Sequence, residues 1–326
     1  MPTLTTLQKS HSKALVIAAF AALYIIWGST YLAILIAVKS IPPFLMAGSR
    51  FIIAGLILYT WCRLQGQATP DLASIANISL SGILLLFIGN SGLVWVEQYL
   101  PSGFSAIVIA TVPLWFVILD KRQWKFHFAN KQIVVGLLIG FAGVLSLFAG
   151  NSNIHILGNK MQLISFFILV LGSISWAIGS LYSKYKKSNG STGMKAAIQM
   201  MVAGLVSLIT GISSGELQQF SWSHVPVQAL MAVLYLITFG SLIGYMSFVW
   251  LMTVRPPSLV GTYAYVNPVV AVFLGWLIAH EQITWHQVLA LAIILAGVII
   301  VNFSKEKIQP HDSKTMARQS VLSESD

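Results

Sequence analysis

The sequence predicts an all-α polytopic membrane protein with ten transmembrane helices in two inverted five-helix repeats, and three observations predict it. First, of 326 residues 56% are hydrophobic and 9% charged, too few charges to coat a water-soluble domain and too much apolar material for one core. Second, apolar stretches recur near residues 14–36, 43–62, 78–96, 103–119, 132–149, 161–182, 195–213, 227–251, 257–279 and 286–303, each close to the roughly 20 residues a helix needs to cross hydrocarbon. Third, the second half repeats the first. IGNSGLVW around Gly89 returns as IGYMSFVW around Gly244, an offset of 155 that also carries Pro101 onto Pro256 and Pro113 onto Pro268. At an offset of 149, Trp27 falls on Trp176 and RFIIAGL from Arg50 on QMMVAGL from Gln199, while GFAGVL before Ser146 matches ILAGVI before Ile300 at 154. Duplicated bundles of this kind place a substrate path between their halves.

Taken in order, residues 1–13 form a cytoplasmic tail, 14–150 the first repeat, 161–303 the second and 304–326 a polar, disordered cytoplasmic tail. The first span runs well past a signal-peptide core and meets no small-residue cleavage pattern before Tyr31, so it is expected to remain. All-round apolarity, without dyad alternation, argues for helices over barrel strands. The segment Asp120–Lys131, basic and interleaved with Trp124, Phe126 and Phe128, reads as an interfacial anchor. Gly136 with Gly140, and Gly240 with Gly244, suit close helix packing. Cys62 is the single cysteine, so no internal disulfide and no cysteine-based redox or zinc motif can form.

Charge orients the bundle. With the N-terminus inside, the cytoplasmic face receives Lys9, Lys13, Arg63, Lys121, Arg122, Lys125, Lys131, Lys184, Lys186, Lys187 and Arg255, whereas the outer face receives only Lys39 and Lys160. Both termini are therefore expected in the cytoplasm. The net charge of +10 is the sum of such loops, which favour anionic lipid and imply no nucleic acid. Five crossings per half return the chain on the opposite side, so the second half enters inverted and the two can rock about a central path.

WGST at Trp27, RFIIAG at Arg50, PSGFSAIVIATVP ending at Pro113, and VNPVVAVFLGWLIAHEQITWHQ from Val266 followed by ILAGVIIV together resemble the EamA family of the drug/metabolite transporter superfamily, over about residues 14–303. The resemblance implies two inverted five-helix repeats, cytoplasmic termini, and export or exchange of small metabolites across the cytoplasmic membrane. It fixes no substrate, and it implies a permease that needs no cofactor.

Candidate binding residues are Arg50, Trp27, Asn90, Trp176, Tyr245, Tyr263 and Asn267, drawn from a wider set that includes Ser29, Thr30, Trp95, Tyr182, Trp250 and Tyr265. An arginine within a span must face a cavity or partners; its repeat equivalent, Gln199, is neutral, which favours an anionic or zwitterionic group near the first half. Its alternative role is to hold helices together through backbone carbonyls. Pro113 and Pro268 are expected to kink their helices.

Two rival classes stand beside the transporter. An integral membrane enzyme would draw on His280, Glu281 and His286, whose spacing is not that of HExxH on one helix face. A passive facilitator or pore would lack the alternating step. All nine acidic residues fall in loops, tails or helix ends, so proton coupling, if present, is expected only at Glu97 or Glu281 at the external mouth.

Overall fold

Hydrocarbon offers a peptide group no hydrogen-bond partner, so a chain this apolar buries its backbone polarity in helices. The structure, a computed structural model, describes residues 12–100, 105, 108–148, 160–279 and 284–303. The tails, Pro101 to Phe104, His280 and Glu281 lie outside these residues. In chain order the main helices are α1 Lys13–Val38, α2 Pro43–Leu64, α3 Leu72–Val96, α4 Val112–Leu119, α5 Lys131–Phe148, α6 Lys160–Tyr185, α7 Thr192–Ser213, α8 Val227–Val254, α9 Tyr263–Ala279 and α10 Trp285–Asn302. Among the described residues there is no strand.

Seven helices of the described residues are long and apolar enough to cross a membrane: α1, α2, α3, α6, α7, α8 and the stretch Pro257–Leu274 that contains most of α9. Helices α5 and α10 supply the shorter apolar stretches Lys131–Ser146 and Val288–Val301. The fourth expected span is not one continuous helix, because the chain turns at Ala110 and Thr111 before α4 begins. Pro113 therefore stands in the first turn of a new helix, where its missing N–H costs nothing, and is no mid-helix kink. Pro268 does lie inside α9.

Caps fix where helices begin. Asp71 accepts from the Ser74 amide (2.7 Å) at the start of α3, and Ser191 from the Met194 amide (3.1 Å) at the start of α7. The start of α2 is capped from a distance, with the Glu216 carboxylate accepting from the Phe44 and Leu45 amides at 3.2 and 2.9 Å. Asn189 ties the α6–α7 connection to Asp71 and Ser74, and the Tyr185 hydroxyl donates to Asp120. The ends of α2, α4 and α6 and the starts of α3 and α7 thus share one end of the bundle.

Two helices, α3 and α8, each widen into a π-helical stretch, Ile83–Ser91 and Leu236–Tyr245. The 155-residue offset superimposes most of one on the other. Helix pairing follows the same correspondence: α2 packs on its equivalent α7 and α5 on its equivalent α10, while α1 on α8 and on α9 is matched by α6 on α3 and on α4. The polarity is inside out. Leu56, Leu171, Leu205 and Ile209 point outward, while Arg50, Gln199, Asn267, Ser207 and Ser241 are buried.

Small residues set the two self-paired seams. A Cβ on Gly204 of α7 would fall 2.8 Å from Ile52 N and 2.9 Å from Gly48 O of α2; one on Gly297 of α10 would fall 2.4 Å from Gly140 N and 2.7 Å from Gly136 O of α5. Backbones this close gain dispersion contacts that lipid cannot supply. Gly136 and Gly140 thus pack helices as expected. Gly297→Ala should lower stability by about 1–3 kcal/mol through overpacking, read as a lower melting temperature in detergent; an unchanged melt would mean that α5 and α10 can part at no cost.

Candidate functional site

Trp27 of α1 and Trp176 of α6, equivalent in the two halves, meet at the centre of the bundle. Their rings stand edge to face at 5.6 Å and 78°, and Trp27 meets Tyr263 likewise at 4.9 Å and 85°. Phe248 closes the group, 5.4 Å from Trp27, 5.2 Å from Trp176 and 5.9 Å from Tyr263, and Tyr245 stacks beyond it at 6.2 Å. The Trp27 indole N–H donates to Gly240 O at 3.1 Å. That contact needs a glycine at 244: a Cβ on Gly244 would lie 2.6 Å from Trp27 Nε1. Gly244 therefore makes room for an aromatic ring and Gly240 offers it a carbonyl, where sequence spacing had suggested helix-to-helix packing alone.

Beside this aromatic layer is a cavity of about 770 Å³, including its opening. Trp27, Arg50, Asn90, Trp176, Tyr245, Tyr263 and Asn267 all line it. Asn90 and Tyr245 are repeat equivalents, like the two tryptophans, and each stands on a π-helical stretch. Of the wider set, Thr30 also lines the cavity. Ser29 is engaged with Tyr235, Tyr182 with Asn77, and Tyr265 of α9 donates to Leu137 O of α5. Trp95 packs on Tyr99 beyond the cavity, and Trp250 lies against the main apolar core. Sequence reading passed over Tyr31, Ser173 and Phe51, which also line the cavity, and Phe248 beneath it. Tyr31 follows WGST directly, Phe51 follows Arg50 in RFIIAG and Phe248 lies in the repeated IGYMSFVW, so proximity to those motifs was the available signal.

Arg50 is 4% exposed. Its Nε donates to Ser241 Oγ of α8 at 3.0 Å and its guanidinium lies 4.5 Å over the Phe51 ring, while Nη1 has no hydrogen-bond partner among the described residues. Gln199 is fully engaged instead. It donates to Ser81 (2.7 Å) and Ser183 (3.3 Å) and accepts from the Tyr245 hydroxyl (2.9 Å). The equivalent positions thus diverge, one closing a network and one presenting a donor to the cavity. Two acceptors are also unmatched, Asn90 Oδ1 and Asn267 Oδ1, with the Tyr31 hydroxyl beside Asn267.

Glu97 departs from expectation. It follows the last residue of α3 as a helix end should, but it is 8% exposed, not open at the external mouth, and among the described residues neither carboxylate oxygen has a hydrogen-bond partner. The Tyr31 phenol is within its electrostatic reach. The helix runs inward of the surface there, so position at a helix end did not mean contact with water. Glu281, the other acidic candidate, lies outside the described residues. No group of three or more histidine, cysteine, aspartate or glutamate side chains suited to a metal occurs among the described residues.

An uncompensated buried carboxyl is costly, and an ammonium in its place costs more. Glu97→Gln should melt at or above the wild-type temperature, whereas Glu97→Lys should lose about 3 kcal/mol or more. A destabilised Glu97→Gln protein would reveal a partner for the ionised form.

Comparison with known proteins agrees with this architecture. The profile of the EamA-like transporter family matches residues 14–149 and 163–303. The uncharacterized inner membrane transporter YedA of Escherichia coli (strain K12) is 40% identical over 291 residues, covering 88% of this chain and 90% of its own. The uncharacterized transporter YvbV of Bacillus subtilis (strain 168) is 28% identical over 294 residues, covering 89% and 92%. One crystal structure of a protein has the same fold, with a TM-score of 0.71 at 18% identity over 90% of this chain and 99% of its own. With the family matched in both halves and across nearly the whole chain, this protein belongs to the EamA-like transporter family.

Proposed function

We propose that the protein is a secondary transporter of the inner membrane that moves small hydrogen-bonding solutes, amino acids or similar amphipathic metabolites, by alternating access between two inverted five-helix repeats, residues 14–150 and 161–303. Ten crossings with both termini in the cytoplasm complete this reading. The observation that carries it is the cavity where the halves meet, lined by equivalent residues from each and holding, among the described residues, two unmatched donors, on the Arg50 guanidinium and the Trp176 indole, and two unmatched amide acceptors. Buried polar atoms in a membrane bundle are normally paired. Four unpaired ones around one cavity, the Trp176 indole N–H being the fourth, with aromatic walls, fit a solute that brings acceptor groups to Arg50 and Trp176 and a donor group to Asn90 and Asn267. The reciprocal pairings of α1 with α8 and of α6 with α3 support exchange of roles between halves. Family membership and the transporter names of the relatives favour this reading over an enzyme.

The experiment is efflux and counterflow in vesicles holding purified protein, screened with pooled labelled amino acids, sugars and cationic dyes. For a carboxylate-bearing substrate, Arg50→Lys should cut transport about tenfold or more and that of a neutral solute less, because lysine loses the planar fork. Equal loss for every solute, with reduced protein yield, would assign Arg50 to helix packing. Orientation is checked separately with Cys62 replaced: cysteine at Ser214 should react with an impermeant reagent from outside, and cysteine at Ser320 only after the cytoplasmic face is opened. Reaction of both from one side would end the ten-crossing topology.

A further inference from the structure

A second cavity, of about 440 Å³ with its opening, lies on the other side of the aromatic layer, toward the end of the bundle where α6 ends and α7 begins. Phe248 and Met252 of α8 and Leu85 of α3 give it apolar walls, and its polar groups are Ser180, Ser183 and Lys184 of α6, Thr192 and Lys195 of α7, and Thr253 of α8. No carboxylate is among the residues lining it.

The two lysines differ in their duties. Lys184 donates to Met252 O at 2.7 Å and Arg255 O at 2.8 Å, closing the end of α8. Lys195 is half-buried on the first turn of α7, and among the described residues no hydrogen bond or ion pair engages its ammonium. A partly desolvated ammonium with three donors and hydroxyl neighbours is matched by an oxyanion. Gln199, one helical turn along α7 from Lys195, bonds both to Ser183 of this cavity and to Tyr245 of the central one. Phe248 is shared by the lower wall and the aromatic layer. The cavities are therefore successive chambers divided by Gln199, Tyr245 and Phe248.

We propose that the lower chamber is a capture site for the carboxylate of a small solute, with Lys195 as its counter-charge and the Ser183, Thr192 and Thr253 hydroxyls as its hydrogen-bonding walls. The proposal takes over the reading of the central cavity as part of a transport path. Its test does not depend on transport.

With Cys62 replaced by serine, a cysteine reporter at Thr253, or at Thr192 should that variant not fold, is reacted in phosphatidylcholine nanodiscs with an anionic methanethiosulfonate (ethylsulfonate) and a cationic one (trimethylammonium-ethyl). Lys195→Gln should lower the anionic-to-cationic rate ratio by about threefold or more and Lys195→Glu further, since one nearby unit charge acts in a low dielectric. The ratio at a Ser214 cysteine, at the opposite end, should not move. Sodium acetate should slow the reaction saturably relative to sodium chloride of equal ionic strength, and Lys195→Gln should remove that protection. A ratio indifferent to Lys195, or protection by phosphatidylglycerol in the nanodisc but not by acetate, would overturn the proposal, the latter by making the site a lipid headgroup anchor. Absence of efflux in vesicles would count against the transport reading and would leave these rates as they are.

Discussion

Lipid hydrocarbon accepts and donates no hydrogen bonds, and the whole bundle is arranged around that constraint. The perimeter carries leucine and isoleucine, and several polar side chains within helices are turned inward and met from elsewhere in the bundle: Ser91 by Ser207, Ser29 by Tyr235, Tyr24 by Thr262, Gln199 by Ser81 and Tyr245. Several of these bonds cross between the two halves of the chain. Among the polar groups left over, Arg50 Nη1, Trp176 Nε1, Asn90 Oδ1 and Asn267 Oδ1 gather around one cavity, while Ser165 and Glu97 stand apart from it.

Much of this was legible in the sequence because the repeat leaves a numerical trace. Offsets of 149 and 155 pair Trp27 with Trp176 and Asn90 with Tyr245, and a pseudo-symmetric bundle brings equivalent residues to its axis. Other features left no such trace. The break before Pro113 looks like any proline inside an apolar run, since the turn at Ala110 and Thr111 depends on tertiary packing. Glu97 sits at a helix end on any periodicity count, and only three dimensions show that end to be covered. Nothing in the sequence separates Lys195, at the start of α7, from Lys184, which the structure shows committed to the end of α8.

The aromatic layer is a septum whose strength comes from edge-to-face contacts, each worth about 0.5–1.5 kcal/mol beyond area burial. Trp27 and Trp176 come from one helix of each half, with Tyr263 and Phe248 wedged between. A relative movement of the halves must therefore part these rings, and the cost is modest because the contacts are few and apolar. Gln199 adds polar stitching on one side only, through Tyr245, so the two chambers are held apart by unlike means.

The π-helical stretches of α3 and α8 carry a consequence for how the family can vary. A π turn holds one residue more than the α turn it replaces, and each residue in an α-helix advances the side-chain direction by about 100°. Loss of one residue from Leu236–Tyr245 would restore ordinary winding without shifting the register on either side, yet it would swing Gly240 or Tyr245 away from the cavity. Single-residue deletions here are thus a route by which a related chain could exchange the lining of its cavity while keeping every helix, loop and seam in place.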